Sequence, residues 1–331
     1  MRVFVFENVC GGGMAGEPLP AGMVAQGRAM LEAVARDFLR CGARVALSRD
    51  ARVDVVVDGA DIVESNGRSD EALVEAGAAG ADAVLVIAPE TNGVLERLTR
   101  CLARLPVRSL GSSPQAVRLC ADKLHMARRL ASRGIATPPT RLCPGDGRAP
   151  DGPSGVDTLV VKPRDGAGCE NTFVHARGQV VAGDPRWIVQ PYVPGLAASV
   201  SFVVAVDGRP RPLPAGRQHV EQEDGQLTYR GGRMPLDEPL ARRATRLGFD
   251  ALRCVEGLQG FVGIDLVLGD DEGADCVIEI NPRLTVSYVA LSALCASNLG
   301  GLLLDDTADV QWSRASASYD AQGSVRLEIF S

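Results

Sequence analysis

Two short apolar segments late in the chain, GIDLVL at 263–268 and DCVIEIN at 275–281, carry acidic residues that a hairpin would bring together. The connector at 269–274 is turn-like at its Asp-Asp-Glu-Gly centre. A hairpin centred on Glu272 sets Asp265 opposite Glu279, and strand alternation sends Glu279 and Asn281 to one face. Ile264, Leu266, Ile278 and Ile280 then point into a core. Directly opposed like charges destabilise a sheet. A proton on one carboxyl, a cation between the two, or a solvated hairpin face would each relieve that cost. For a cation, a donor set made only of oxygen suits Mg2+, which keeps several waters and bridges to nucleotide phosphates.

A second segment, LVVKPRDGAG, runs a β-rich stretch into Lys162 and then into a loop holding Gly166 and Gly168. A lysine leaving a buried strand is an apt point charge for a phosphate, and the loop amides can cover further phosphate oxygens. A plain structural turn fits the same residues, and the Walker pattern GxxxxGK[ST] is absent. A third segment, WIVQPYVPG, joins an apolar strand to a connector punctuated by Pro and Gly. Its backbone can meet a purine edge while apolar side chains sandwich the ring. His125, His175 and His219 form no arrangement with Ser, Cys or Asp that would make a protein nucleophile, and structural or exposed roles are expected for them.

These segments need a scaffold, and 331 residues suffice for two or three domains. With 46% hydrophobic and 23% charged residues the chain has a globular rather than a disordered balance. A net charge of −6 without a long basic block argues against a nucleic-acid partner. No apolar run approaches the ~20 residues of a membrane span. The start, MRVFVFENVCGGG, reads as a first strand rather than an export signal. Nine cysteines without CxxC spacing read as reduced thiols, mostly core, of a cytoplasmic protein.

The first hundred residues alternate strand and helix, as a parallel sheet requires. Strands are expected at 2–6, 44–47, 53–57 and 81–88, with a helix over 24–41 closed by Gly42. A GxGxxG after the first strand, with an acidic residue about twenty positions on, is missing, so a dinucleotide oxidoreductase fits poorly. A second unit opens near Ser109, with a helix start at Ser113-Pro114 and a helix over 123–132. A Pro, Gly and Asp cluster at 143–155 reads as a surface loop. Strands follow at 158–162, 172–174, 187–189 and 199–206, then a hairpin within 214–234 and a helix near 238–255. The tail carries one helical-looking stretch, 287–304, and a final strand at 324–329.

The order of these parts resembles the ATP-grasp superfamily: a lysine before a helix, a strand-end lysine about forty residues on, a hinge, then Asp and Glu-x-Asn on paired strands. The resemblance covers roughly residues 109–304, and IEINPR at 278–283 is its most specific piece. It implies an ATP-grasp fold of two α+β lobes (109–190 and 191–331) clasping ATP, preceded by an open parallel-sheet domain (1–108). It also implies that Lys123, Lys162, Gly166 and Gly168 meet phosphates and that Gln190, Tyr192 and Val193 surround adenine. By the same likeness Asp265, Glu279 and Asn281 hold Mg2+, as one or two ions or with Mn2+ in its place. Arg283, catalytic together with Lys162, would face the transferred phosphoryl group or the substrate acid. The ribose-binding glutamate of many members has no counterpart in Leu196, Ala197, Ala198 and Ser199.

Such ligases transfer the γ-phosphoryl group to a carboxylate, and an amine then displaces phosphate from the acyl phosphate. VKPRDGAGCENT, LPAGRQHV, TYRGGRMPL and INPRLTVSYVAL resemble the branch of tyramine–glutamate ligases associated with methanofuran biosynthesis. That likeness implies glutamate as the acid and tyramine, or tyrosine, as the amine; another amino-acid or dipeptide ligase, and a non-catalytic ATP-binding module, are the alternatives. Carboxylates need cationic partners, and Arg217, Arg230, Arg233 and Arg283 lie on segments near the expected site, with Gln218 beside the first. Ser287 and Tyr288 follow the metal strand and are candidates for the acceptor pocket, or for helix caps. Many such relatives are dimers, which makes a homodimer a candidate assembly.

Overall fold

The computed structural model describes residues 1–143, 157–166, 168–176 and 186–330. The amino-terminal part runs β1 (Arg2–Glu7), α1 (Ala21–Arg40), β2 (Arg44–Arg49), β3 (Asp61–Glu64), α2 (Asp70–Ala78), β4 (Ala83–Ile87), α3 (Val94–Leu102) and β5 (Arg108–Ser109). Its five strands pair in parallel in the order β3-β2-β1-β4-β5. All five residues of β4 are buried, as a parallel strand covered on both faces must be. The stretch 53–57 is a correction: it is irregular, although Val53, Val55 and Val57 alternate into the core. The outer edge of β2 is taken instead by β3.

Next come α4 (Pro114–Ala121) and α5 (Lys123–Ser132), followed by β6 (Arg141–Leu142), β7 (Thr158–Pro163), β8 (Phe173–Ala176) and β9 (Trp187–Pro191). The Ser113 side chain caps α4 with Pro114 in its first turn, and Asp122 caps α5. Of the expected loop at 143–155, all but Cys143 lies outside the described residues. The last part holds β10 (Leu196–Val204), β11 (Pro210–Pro212), β12 (Gly216–Glu223), β13 (Gln226–Met234), α6 (Glu238–Leu252), β14 (Gly260–Leu268) and β15 (Cys276–Asn281). It ends with α7 (Ser287–Leu294), α8 (Leu299–Leu304), β16 (Ala315–Asp320) and β17 (Val325–Ile329). The single helical stretch expected at 287–304 is thus two helices. A bridge between Cys295 and Trp312 occupies the break, and Asn298 caps α8.

Among the described residues β6 to β17 form one 12-stranded sheet, whose main path is β15-β14-β10-β12-β13-β8-β7-β9-β6. The β12–β13 hairpin joins the two halves, pairing Gln226 with Phe173. One core cluster reaches from Val3, Leu31 and Phe38 to Tyr288, Leu291 and Tyr319, so α1 and the carboxyl-terminal elements share a core. A second cluster lies under β10 and β14 against α6.

Inside that first core sits a carboxyl group. Glu7 at the end of β1 is 3% exposed and accepts the Cys10 amide at 2.7 Å. Gly27 on α1 gives it room, since a Cβ there would stand 2.6 Å from Glu7 Oε2. Burial pushes its pKa from 4.5 up to about 7. Between these values the folded chain holds a proton the unfolded chain has lost, so stability falls as pH rises through this window. Glu7→Gln is expected to remove that slope and to stabilise the protein at pH 8 by an amount on the order of 1–3 kcal/mol. Urea unfolding of both proteins at pH 5 and pH 8 measures it; midpoints that differ equally at the two pH values would show that Glu7 does not titrate in this way.

Candidate active site

The β14–β15 ladder sets Gly263, Ile264 and Asp265 against Asn281, Ile280 and Glu279. The two carboxylates are therefore direct cross-strand partners. One expectation for this hairpin fails. Past Asp265 the register slips, so Leu266 meets Val277 and Ile278 is left as the extra residue of a bulge. Val277 is wholly buried in the core place assigned to Ile278, which is only half-buried.

Asp265 accepts Gln218 Nε2 at 2.7 Å and Asn281 Nδ2 at 3.1 Å. Burial, and then the charge of Glu279, push its pKa from 3.8 up to about 6 against those bonds. Glu279 pairs with Lys123 Nζ at 2.9 Å. Lys162 is 7% exposed at the end of β7; its burial, opposed by Glu279, lowers its pKa. The oxygen donors of Asp265, Glu279 and Asn281 fit a hard cation. Among the described residues no group of three or more His, Cys, Asp and Glu is placed to hold a metal. A cation here would rest on two carboxylates and an amide, completing its shell with water and phosphate oxygens.

The two lysines are fixed to each other by bonds that sequence reasoning missed. Arg164, two residues after Lys162, bonds the Asp122 carboxylate through Nε at 2.8 Å and through its terminal nitrogen, and its carbonyl accepts the Lys123 amide at 3.0 Å. The Lys123 ammonium in turn donates to the carbonyl of Gly166. Gly168 is exposed farther along the same loop, as are Glu170 and Asn171.

On the connector, Gln190 is buried and donates through Nε2 to Thr140 Oγ1 at 2.7 Å. Tyr192 is 41% exposed and spends its amide on the Thr158 carbonyl. Val193 follows, half-buried. Ser199 pairs across the sheet with Asp265, which brings β10 directly under the site.

Arg283 leaves β15 toward the amino-terminal sheet, where Nε donates to Glu90 Oε2 at 2.8 Å. Both side chains are largely buried, and Glu90 Oε1 has no partner among the described residues. Glu90, on the loop after β4, is a site residue that the sequence reading did not single out. The other arginines do not converge. Gln218 faces Asp265, so alternation turns Arg217 to the opposite face of β12. Arg230 is the extra residue of a second bulge, exposed and paired with Glu221 at 2.7 Å. Arg233 is bonded to Ser316 and Glu328. Tyr288 is a further correction: it is wholly buried and donates to Asp37 Oδ2 at 2.6 Å, tying α7 to α1. Ser287 is buried against the Thr285 hydroxyl at 2.8 Å. His125 and His219 are exposed beside Asp122 and Glu221, and His175 is half-buried near Phe173.

Two opposed acids on paired strands, two lysines from separate elements and a long sheet behind a parallel-sheet domain define a nucleotide-clasping architecture. The chain matches the ATP-grasp domain family over residues 120–287 and the pre ATP-grasp 3 domain family over residues 43–117. It belongs to the ATP-grasp family. It is similar to the tyramine–L-glutamate ligase of Methanocaldococcus fervens, 28% identical over 63% of this chain and 61% of that protein. The enzyme of the same name from Methanocaldococcus jannaschii is 27% identical over 63% of this chain and 58% of its own length. The match thus spans about three fifths of these curated relatives. In fold the chain resembles an ATP-grasp superfamily protein from Archaeoglobus fulgidus (TM-score 0.74, 24% identity, 96% of this chain and 92% of that one). It also resembles an L-amino acid ligase from Bacillus licheniformis (TM-score 0.70, 15% identity, 96% and 78%).

Breaking a buried ion pair from one side strands the other charge, typically at a cost of about 3–5 kcal/mol. Glu90→Ala is therefore expected to destabilise the protein by roughly 3 kcal/mol. Adding Arg283→Met should restore part of that loss. Urea unfolding of the single and double variants measures both; a single variant as stable as wild type would show that the pair carries no such strain.

Proposed function

We propose that this chain is an ATP-dependent carboxylate–amine ligase that forms an amide through an acyl phosphate. The observation that carries this reading is the convergence of Lys123, Lys162 and Arg283 around the Asp265–Glu279 pair, each cation interacting with at least one of the two acids. The relatives' names favour the side-chain carboxylate of glutamate as the acid and tyramine, or its carboxylated form tyrosine, as the amine. In this reading the reaction uses cytoplasmic ATP in a methanofuran-type pathway. No helix among the described residues is long and apolar enough to cross a membrane.

Asp265, Glu279 and Asn281 would hold Mg2+, which when bound supplies positive charge to the nucleotide phosphates. The rest falls to side chains. A substrate carboxylate oxygen attacks the γ-phosphorus, its new O–P bond forms, and the bond to the bridging oxygen of ADP breaks. Lys162, buried and strongly desolvated, and Lys123 neutralise the phosphoryl oxygens, while Arg283 orients the acid. The amine then attacks the acyl carbon and inorganic phosphate departs. Positioning and charge account for the acceleration, so no protein nucleophile is required.

Incubation with ATP, Mg2+, glutamate and either tyramine or tyrosine should yield ADP, phosphate and an amide identified by mass. Glu279→Gln is expected to lower kcat by at least about 100-fold, in line with loss of a transition-state charge contact. ATP hydrolysis that never couples to any acid and amine would sink the ligase reading in favour of a non-catalytic or hydrolytic module. Because Asp265 binds a proton below about 6, the Mg2+ concentration giving half-maximal rate should rise between pH 7.5 and pH 5.5. A half-saturation point that stays constant over that range would remove Asp265 from the metal set.

A further inference from the structure

The face of the sheet that carries Asp265 continues past the acid pair onto β12, β13 and β16. Gln218, which bonds Asp265, lies in register with Gly232, and Gly232 lies in register with Tyr319. The missing side chain in the middle matters, because a Cβ on Gly232 would stand 2.8 Å from the Tyr319 hydroxyl. Tyr319 therefore leans across Gly232 toward Gln218. A second phenol reaches the same spot by way of a backbone irregularity. Tyr229 and Gly232 are three positions apart, so a regular strand would turn them to opposite faces. The bulge at Arg230 resets the alternation, and Gly231 beside it has φ +123°, a conformation that favours glycine. As a result the Tyr229 and Tyr319 hydroxyls meet at 3.2 Å. The two share one hydrogen bond and neither has another partner among the described residues, so one phenolic hydrogen lacks an acceptor.

We propose that the Tyr229–Tyr319 hydroxyl pair, with Gln218, forms the positioning site for the α-amino-acid head of the substrate whose other carboxyl is activated. This rests on the ligase reading above and deepens it. A carboxylate takes the spare phenolic hydrogen, and the ammonium group meets the Gln218 carbonyl oxygen, whose amide nitrogen is already turned to Asp265. Neutral groups do this work because three of the four candidate arginines lie elsewhere, Arg217 on the opposite face, Arg230 out on the bulge and Arg233 against Ser316 and Glu328, while Arg283 is held by Glu90. Tyr319 stands on β16, beyond the residues 120–287 that match the ATP-grasp domain family.

The test is Tyr319→Phe, which keeps the ring and removes the hydroxyl, with Tyr229→Phe as the companion. Each is assayed with L-glutamate and with its α-amide, which retains the side-chain carboxyl. For Tyr319→Phe the KM for glutamate should rise about tenfold, while the KM for ATP and the affinity for ADP with Mg2+ stay within twofold. The preference of wild type for glutamate over the α-amide should shrink by the same factor. Equal preference in variant and wild type overturns the proposal and leaves the ligase reading standing, as does a fall in kcat with both KM values unchanged. Failure of wild type to form an amide with any pair overturns both.

Discussion

Two half-buried carboxylates, Asp265 and Glu279, face each other on adjacent strands. Unit charges about 5 Å apart at an effective dielectric of about 20 repel by roughly 3 kcal/mol. That is a large share of the stability of any domain. The pKa of Asp265 is raised first by its burial and then by the charge of Glu279, so the conflict adds to a desolvation cost. What offsets it is cationic charge delivered from three separate segments: Lys123 at the start of α5, Lys162 at the end of β7 and Arg283 just past β15. A phosphate-bearing ligand fits the same balance, since the lysines that now answer the acids can answer phosphates when a cation joins the pair.

That requirement organises the neighbourhood. Asp122 serves two ends at once, capping α5 through the His125 amide and gripping Arg164, so the loop after Lys162 cannot leave the helix that starts with Lys123. On the other flank Arg283 is committed to Glu90, which stands on the loop after β4. The amino-terminal sheet is thereby connected to the acid pair through one guanidinium and, on its α1 face, through the core shared with α7. A bonded Asp37 reinforces that contact, receiving Tyr288 and Ser292 from α7. Motion of the amino-terminal sheet would move Arg283, and through it the site.

Much of this was readable from sequence because it rests on local rules. The parallel character of the first sheet followed from strands alternating with helices, and the Asp265–Glu279 register followed from a hairpin whose centre is marked by turn residues. Ser113 and Pro114 announced α4, and Lys123 opened α5 where spacing placed it. What escaped was long-range. Glu90 and Arg283 lie 193 residues apart, and Asp122 and Arg164 lie 42 apart, and neither pairing leaves a local trace. Tyr288 looked like a pocket residue because it follows the metal strand, yet its partner is Asp37, 251 residues away. Val53, Val55 and Val57 showed that alternation reports burial and not pairing, since the edge they would have joined was already taken.

Two further departures, at Ile278 and Arg230, share one cause. A period of two assigns faces correctly only while a strand stays regular, and the strands that frame this site do not. In β15 the extra residue Ile278 lets Val277 enter the core while Glu279 and Asn281 keep a common face. In β13 the extra residue Arg230 leaves for solvent, and Tyr229 swings to the side of Asp265. In both strands the bulge separates two demands on one segment, packing against the core on one side of the irregularity and presenting a polar group on the other. An unbroken alternation would have set Arg230 on the face of Gly232 and Tyr229 behind it, exchanging a neutral hydroxyl pair for a charge next to the acids. The irregularities therefore decide which chemistry this face of the sheet can offer.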